Sequence, residues 1–364
     1  MAVLIKKQKT TYRCISSENI EVIITKRYFL FIQHTKDIFF YRMLGTVNKN
    51  KMSQEEPLIL YKVEHAKDKN AGNIAIISLN RPKAANAQSL ALIYALDEAL
   101  EKAIADASVR VIVLRANGKN FSAGHDLADR SGTVGETWKP RSQWQNYSST
   151  GYASQKNKMI PPALAGKNGE FLAEGMFNRE REIYKDMAER WRNAPKPTIC
   201  AVQGKCIAGG LMLCWPCDII VAASNAEFSD PVVAMGVCGV EYFAHQLEMG
   251  SRRAKEMLFT GDSISATDAR DLFGFVSHVV DPSDLDAFVM EKAHKIARNP
   301  MFALQLSKEA VNQAEDATGR KQGMDGAFSL HQLCHAYNMQ RFGIIVDPSG
   351  LIPRGSAKKK SSKL

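Results

Sequence analysis

Apolar residues fall in short, nearly unbroken runs between Asn73 and Ala223, and this pattern predicts buried strands separated by helices. Ile74-Ala-Ile-Ile-Ser-Leu79, closed by Asn80-Arg81-Pro82, has the length and β-branched content of a strand covered on both faces. Ser89 to Ala105 then spaces its apolar residues three and four apart, as an amphipathic helix does. Val111-Ile-Val-Leu114, Pro197-Thr-Ile-Cys-Ala-Val202 and Asp218-Ile-Ile-Val-Ala-Ala223 repeat the strand signal, with a glycine-rich turn and a helical patch between the last two. Strands alternating with helices predict an α/β layered fold. From Ser265 to Asn338 the patterns are mostly helical, with Ser307 to Ala317 and Gly323 to Tyr337 both amphipathic, which predicts a separate helical region.

Residues 1–51 mix Lys and Arg with the aromatic run Tyr28-Phe-Leu-Phe-Ile32 and hold neither period for long, so they read as an N-terminal extension without an evident role. Met52 opens a stretch of different character. The expected division is a core over 52–264, a helical region over 265–340 and a basic tail over 341–364. Within the core, residues 128–180 are rich in Gly, Ser, Asn and Gln and hold Trp138, Trp144, Tyr147, Tyr152 and Pro161-Pro162. Such a stretch predicts a long loop, and its place directly after a glycine turn favours a lid.

Charge changes the picture little. The formal net charge of +10 sits at the two ends: residues 1–51 hold ten Lys/Arg against three Asp/Glu, and residues 349–364 hold five basic residues and no acid. The body between them is close to neutral, which argues against a nucleic-acid groove. The N-terminal extension also carries Glu18, Glu21 and Asp37, unlike an Arg-rich, acid-poor presequence. The seven cysteines, an odd number crowded into core segments, predict a reducing compartment, and Cys214-Trp-Pro-Cys217 reads as buried thiols. No apolar run is long enough to span a membrane. The sequence ends in Ser362-Lys363-Leu364 after a solvated basic stretch, the form of a receptor-read peroxisomal address, so a peroxisomal location and an import receptor as partner are expected, with the cytoplasm or mitochondrion as the alternative if the tripeptide is a chance tail.

Two glycine-containing turns each follow an apolar strand: Phe121-Ser-Ala-Gly-His-Asp-Leu127 and Gly204-Lys-Cys-Ile-Ala-Gly-Gly-Leu211. A turn of small residues lets backbone approach a substrate closely, and a helix starting at Gly209-Gly210 turns its free N–H groups outward, where they stabilise developing negative charge on an oxygen. Two ordinary tight turns would look the same in isolation.

Further segments accompany the pair. Leu79-Asn-Arg-Pro-Lys-Ala-Ala-Asn-Ala87, Lys196 to Gly204 followed by Ile207-Ala-Gly-Gly210, Cys217-Asp-Ile-Ile220, Phe228-Ser-Asp-Pro231, Met257 to Asp262 and Ser307-Lys-Glu-Ala-Val-Asn312 occur in order. Over about residues 57–338 the chain thus resembles the crotonase (enoyl-CoA hydratase/isomerase) superfamily. The resemblance implies an α/β spiral of ββα units with a C-terminal helical oligomerisation region that builds a homotrimer or a dimer of trimers. It also implies an acyl-CoA substrate, coenzyme A entering as part of the substrate with no separate cofactor and no metal. The oxyanion N–H groups carry over to His125 and Gly209, and CoA-lining positions to Lys83, Ala84, Ala85, Ala87, Ala123, Asp126 and Leu127.

The chain departs from the family where the chemistry is done. Hydratases of the family place one glutamate two residues after the last glycine of the second turn and another directly after Phe-x-x-Pro; here these positions are Met212 and Val232, which transfer no proton. Losing such groups costs about 10²- to 10⁴-fold in rate. The best substitute is Glu241 in Gly239-Val-Glu-Tyr-Phe-Ala-His245, where a helix is expected to begin, with His245 four residues on, on the same face and so placed to orient Glu241 or share its proton. Glu241 could equally serve only to complement the helix N-terminus. Asp230 is a second candidate acid, although Ser-Asp-Pro also starts turns, and Tyr242 reads as core. The family's closing aromatic and Glu-Lys-Arg cluster is replaced by Gln340 to Ser349. The expected activity is that of an acyl-CoA enzyme of the hydratase/isomerase type, probed against two alternatives: an acyl-CoA binding protein without chemistry, and a thioester hydrolase.

Overall fold

Asn73–Leu79 forms the strand around which the main sheet is built, and it lies in the larger of two compact units, Met1–Glu55 and Glu56–Leu364. The computed structural model describes residues 56–127 and 173–351, together with the backbone of five strands between residues 4 and 42. Those five are β1 (Leu4–Gln8), β2 (Thr11–Ile15), β3 (Glu21–Ile24), β4 (Phe29–His34) and β5 (Asp37–Arg42), each antiparallel to the next. At four to six residues they are too short for a period to emerge from sequence, which is why the extension was expected to lack one.

In the larger unit β6 (Ile59–Glu64) runs antiparallel to β7 (Asn73–Leu79). Parallel pairing then carries the sheet through β8 (Val109–Ala116), β9 (Thr198–Val202), β11 (Ile219–Ala223) and β14 (His278–Val280). A second, three-stranded sheet holds β10 (Lys205–Ile207), β12 (Glu227–Ser229) and β13 (Ile264–Ser265). Alternate residues of the main strands enter different cores. Ile74, Ile76, Val111, Val113, Ile199 and Val221 pack with Leu285, Val289 and Ala293 of the helix Leu285–Ala297. Ala75, Ile77, Ile112, Leu114 and Cys200 face Leu92, Ile93 and Leu96 of the helix Leu90–Ala105. With both faces covered the strands have no polar side, and so they read as continuous apolar runs.

The helix Leu90–Ala105 starts where the Ser89 hydroxyl accepts from the Leu92 N–H at 3.2 Å. It ends against the Lys196 ammonium, which donates to the carbonyls of Ala103 (2.8 Å) and Asp106 (2.6 Å). In its middle Asp97 is buried and accepts from Trp191 Nε1 at 2.8 Å and from Arg190 Nη2 at 2.9 Å. Asp97→Ala would leave a guanidinium and an indole N–H without that acceptor, so it is expected to lower stability by about 3 kcal/mol, read as a lower urea midpoint at unchanged m-value.

Trp191 belongs to a stretch that corrects the sequence expectation. The loop predicted over 128–180 does not extend to Glu180: Ala173–Glu180 is α-helical and continues through a π turn, Arg181–Asp186, into Met187–Arg192. Met176, Glu180, Ile183, Met187 and Trp191 are buried at spacings of three and four. A glutamate within the stripe and the wider π turn break the apolar period, which hid the helix. Residues 128–172, with the expected lid and Trp138, Trp144, Tyr147 and Tyr152, lie outside the described residues, as do Ser362, Lys363 and Leu364.

The C-terminal part is helical, as expected, with Met301–Asp316 followed by Arg320–Phe342. Met324, Phe328, His331, His335 and Asn338 form the buried stripe of the last helix. Beyond it the chain turns back at Gly343, and the Asp347 N–H donates to the Met235 carbonyl at 2.7 Å. The residues standing in place of the family's usual ending therefore pack on the segment after β12.

Candidate active site

Three turns that follow strands are laced together by main-chain hydrogen bonds. The Ala123 N–H donates to Ala85 (2.9 Å), Gln88 donates to Gly124 (2.8 Å) and Asp126 donates to Gln88 (3.1 Å). Ser122 and Ile207 complete the set, donating to Lys205 and Ser122, each at 3.0 Å. The bridge from Gln88 thus uses the residues on either side of His125 and leaves the N–H of His125 itself outside the ladder. Gly209 lies in the opening turn of the helical stretch Ala208–Cys214, where an N–H has no carbonyl behind it to bond.

Backbone geometry makes this contact specific to small residues. Gly124 has φ of 86°, and a Cβ there would fall 2.8 Å from the Ile207 carbonyl oxygen and 3.1 Å from the Gly209 nitrogen. The turns carrying His125 and Gly209 therefore touch at Gly124. Ala208, just before Gly209, is left-handed at φ 47°, as are Ala85 (49°) and Asn86 (51°) in the first turn. Such conformations persist only where surroundings hold them. Asn86 is held: its Oδ1 accepts from the Arg81 N–H (2.8 Å), and its Nδ2 donates to Asn117 (3.0 Å) and Asn120 (2.9 Å).

The positions expected to line coenzyme A form a rim on these same turns. Lys83 and Ala84 lie in the turn Pro82–Ala84, with Ala85 and Ala87 directly after it. Ala123 and Leu127 are exposed, and Asp126 is ion-paired to Arg81, which also donates to the Ala87 carbonyl at 3.0 Å.

Glu241 is buried beside them. Its Oε2 lies 3.7 Å from His125 Nε2 and its Oε1 lies 3.8 Å from His331 Nε2. Glu241 Oε2, both Nε2 atoms and Gln88 Oε1 are buried without a hydrogen-bond partner among the described residues. Unpaired buried polar atoms are costly, and a group of them marks a site shaped for something else. Burial pushes the Glu241 carboxyl up to about 7 and the imidazoles of His125 and His331 down to about 4. The two rings are therefore neutral near pH 7, and the carboxyl can both take and give a proton.

Met212 and Val232 are buried nearby, and the Met212 sulfur accepts from the Tyr242 N–H at 3.4 Å. Tyr242 is core, its hydroxyl bonded to Arg320.

The structure corrects the expectation for His245. No helix begins at Glu241: the helix is His245–Met249, and the residues before it are irregular. His245 Nε2 bonds Asp230 Oδ2 at 2.8 Å, so it does not orient Glu241. Asp230 also accepts from the N–H groups of Val240 (3.1 Å, Oδ2) and Val232 (3.4 Å, Oδ1), which occupies both of its oxygens. The pair fixes the loop that carries Glu241.

Several residues at the site escaped sequence reading: Gln88, Glu180, His331, His335 and Tyr184, whose ring centroid is 4.2 Å from that of His125. The available signal was the four-residue spacing of His331 and His335 within a segment already read as helical. Polar residues on a buried helix face otherwise look like breaks in the stripe.

A profile of the family described as "Enoyl-CoA hydratase/isomerase" matches residues 69–160 and 164–343. The chain is 42% identical over 267 residues to the putative enoyl-CoA hydratase EchA13 of Mycobacterium tuberculosis, covering 73% of this chain and 78% of that protein. It is 27% identical over 248 residues to 1,2-epoxyphenylacetyl-CoA isomerase of Escherichia coli, covering 67% and 80% of the two chains. Among solved structures, a probable enoyl-CoA hydratase from Mycobacterium smegmatis superposes with TM-score 0.65 at 41% identity, covering 79% of this chain and 98% of that one.

Proposed function

Since the chain belongs to the enoyl-CoA hydratase/isomerase (crotonase) family and is an acyl-CoA enzyme of that type, we propose that it moves a double bond or a proton beside a thioester carbonyl with Glu241 as its single acid–base group. The observation carrying this reading is the buried Glu241 carboxylate with an unpartnered oxygen beside two neutral imidazoles, while Met212 and Val232 fill the two positions where hydratases of the family keep glutamates.

In this reading the thioester oxygen accepts from the N–H groups of His125 and Gly209, which acidifies the adjacent C–H bonds. Glu241 removes a proton from one carbon, the electron pair moves onto the thioester oxygen as an enolate, and the same carboxyl returns the proton to another carbon. The double bond shifts and no water is consumed. His125 and His331 stay neutral and leave the carboxylate unquenched. Asp230 acts through His245 and the Val240 N–H by holding the Glu241 loop, so it is a positioning residue. The rim Lys83, Ala84, Ala85, Ala87, Ala123, Asp126 and Leu127 receives the coenzyme A moiety.

Exposed Phe302, Leu306 and Val311 on one C-terminal helix and Leu330, Leu333 and Tyr337 on the next support an oligomer closed through this region, which the family resemblance makes a homotrimer or a dimer of trimers.

A panel of 2-enoyl-, 3-enoyl- and dienoyl-CoA thioesters tests the reaction. Expected are double-bond migration and, in D₂O, deuterium at the migrating positions. Hydration of the 2-enoyl substrates as the faster reaction would replace isomerisation by water addition at the same carboxylate. Release of free coenzyme A alone, or binding without turnover, would overturn the reading.

A further inference from the structure

Next to Glu241, whose Oε1 lies 3.8 Å from His331 Nε2, three buried side chains from two helices converge. Glu180 ends the helix Ala173–Glu180, and His331 and His335 sit one turn apart on Arg320–Phe342. Glu180 Oε2 is 3.7 Å from His331 Nε2 and 3.6 Å from His335 Nε2, and the three ligand atoms lie within 4.8 Å of one another. At these distances none of the ring nitrogens is hydrogen-bonded to the carboxylate.

The far sides of the rings explain the arrangement. His331 Nδ1 is 2.7 Å from the Gly239 carbonyl oxygen, and His335 Nδ1 is 2.7 Å from the Ile345 carbonyl oxygen. A carbonyl only accepts, so each Nδ1 carries a proton; burial keeps the His331 ring neutral, so its Nε2 presents a lone pair toward Glu180. His331 Nε2 is buried and without a hydrogen-bond partner among the described residues. The His331 lone pair and the Glu180 carboxylate repel each other unless something positive stands between them. Glu180 is itself oriented by the Gln332 amide, which donates to Oε2 at 2.6 Å. Imidazoles fixed through Nδ1–H to backbone carbonyls, with a hydrogen-bonded carboxylate as third donor, are the outer-shell pattern that orients metal ligands.

We propose that Glu180, His331 and His335 bind one divalent transition-metal ion through Glu180 Oε2 and the two Nε2 atoms. Two imidazoles and one carboxylate suit Zn²⁺, Fe²⁺ or Co²⁺ and not Mg²⁺ or Ca²⁺, and three protein donors leave a coordination position open. Ligand atoms on a tetrahedral Zn²⁺ stand about 3.3 Å apart, so the two Glu180 separations of 3.6–3.7 Å are close to what an ion requires, and the two Nε2 atoms, within 4.8 Å of each other, would draw together on binding. The ion would clamp the end of the helix Ala173–Glu180 to the helix Arg320–Phe342. This site was not expected from the sequence, and it does not depend on the role assigned to Glu241.

The test uses the full chain, stripped with a chelator and titrated with Co²⁺ while the visible spectrum and the thermal midpoint are followed. Expected are d–d bands that saturate at one Co²⁺ per chain, displacement by Zn²⁺, and a raised Tm with metal. E180Q, isosteric and folded by circular dichroism, and H335A should each weaken Co²⁺ binding by more than about 10-fold and abolish the Tm shift. No stoichiometric uptake, uptake unchanged in both variants, or intense thiolate charge-transfer bands placing Co²⁺ on the cysteines would each overturn the proposal.

Discussion

Glu241→Gln is expected to lower kcat on the preferred acyl-CoA thioester by about 10²- to 10⁴-fold while KM changes little. Glutamine keeps the volume and the contacts at the ends of the side chain, and the loop around it is held by Asp230, His245 and the Val240 N–H rather than by Glu241 itself. The variant should therefore fold and bind substrate, and lose only the group that exchanges a proton. Solvent deuterium exchange at the carbon beside the thioester is the sharper readout, since it reports proton removal even where no net product forms. Exchange and turnover at wild-type rates in the variant would remove Glu241 from the mechanism, and the search would move to His125.

The fold was legible because its strands are buried on both faces and its helices keep their period. Asn73–Leu79 extends the predicted strand by one residue and Val109–Ala116 by two at each end, while the helix Leu90–Ala105 begins one residue after the predicted Ser89, which caps it. The helix ending at Glu180 was not legible, because a polar residue inside its buried stripe and a π turn at Arg181–Asp186 imitate the composition of a loop. The error has the same origin as the missed residues at the site. Glu180, His331 and His335 are polar residues at core positions, and a reading that assigns the core to apolar residues discards them. His245 failed differently. A glycine before a short apolar stretch reads as a helix start at Glu241, whereas the irregular backbone continues to Ala244 because Asp230 captures the Val240 N–H and the His245 ring. By contrast, the two glycine turns were read from local chemistry and recur as neighbours, since a strand-end turn built from small residues needs no distant partner to be recognised.

Gly124→Ala and His125→Ala should separate main-chain from side-chain chemistry. The first adds one methyl group at a left-handed residue and drives it to 2.8 Å from the Ile207 carbonyl and 3.1 Å from the Gly209 nitrogen, so the two turns must part. Removing one oxyanion donor costs about 10²- to 10³-fold in kcat, and a loss of at least that size is expected when the relative position of both N–H groups is disturbed. His125→Ala keeps the N–H at position 125 and deletes only a neutral ring 3.7 Å from Glu241, so its loss should be much smaller, within about 10-fold. Steady-state kinetics on the same substrate, with circular dichroism to show that both variants fold, gives the comparison. If His125→Ala were the more damaging of the two, the imidazole rather than the backbone would be the working group, and stabilisation of the thioester oxygen would have to be assigned elsewhere.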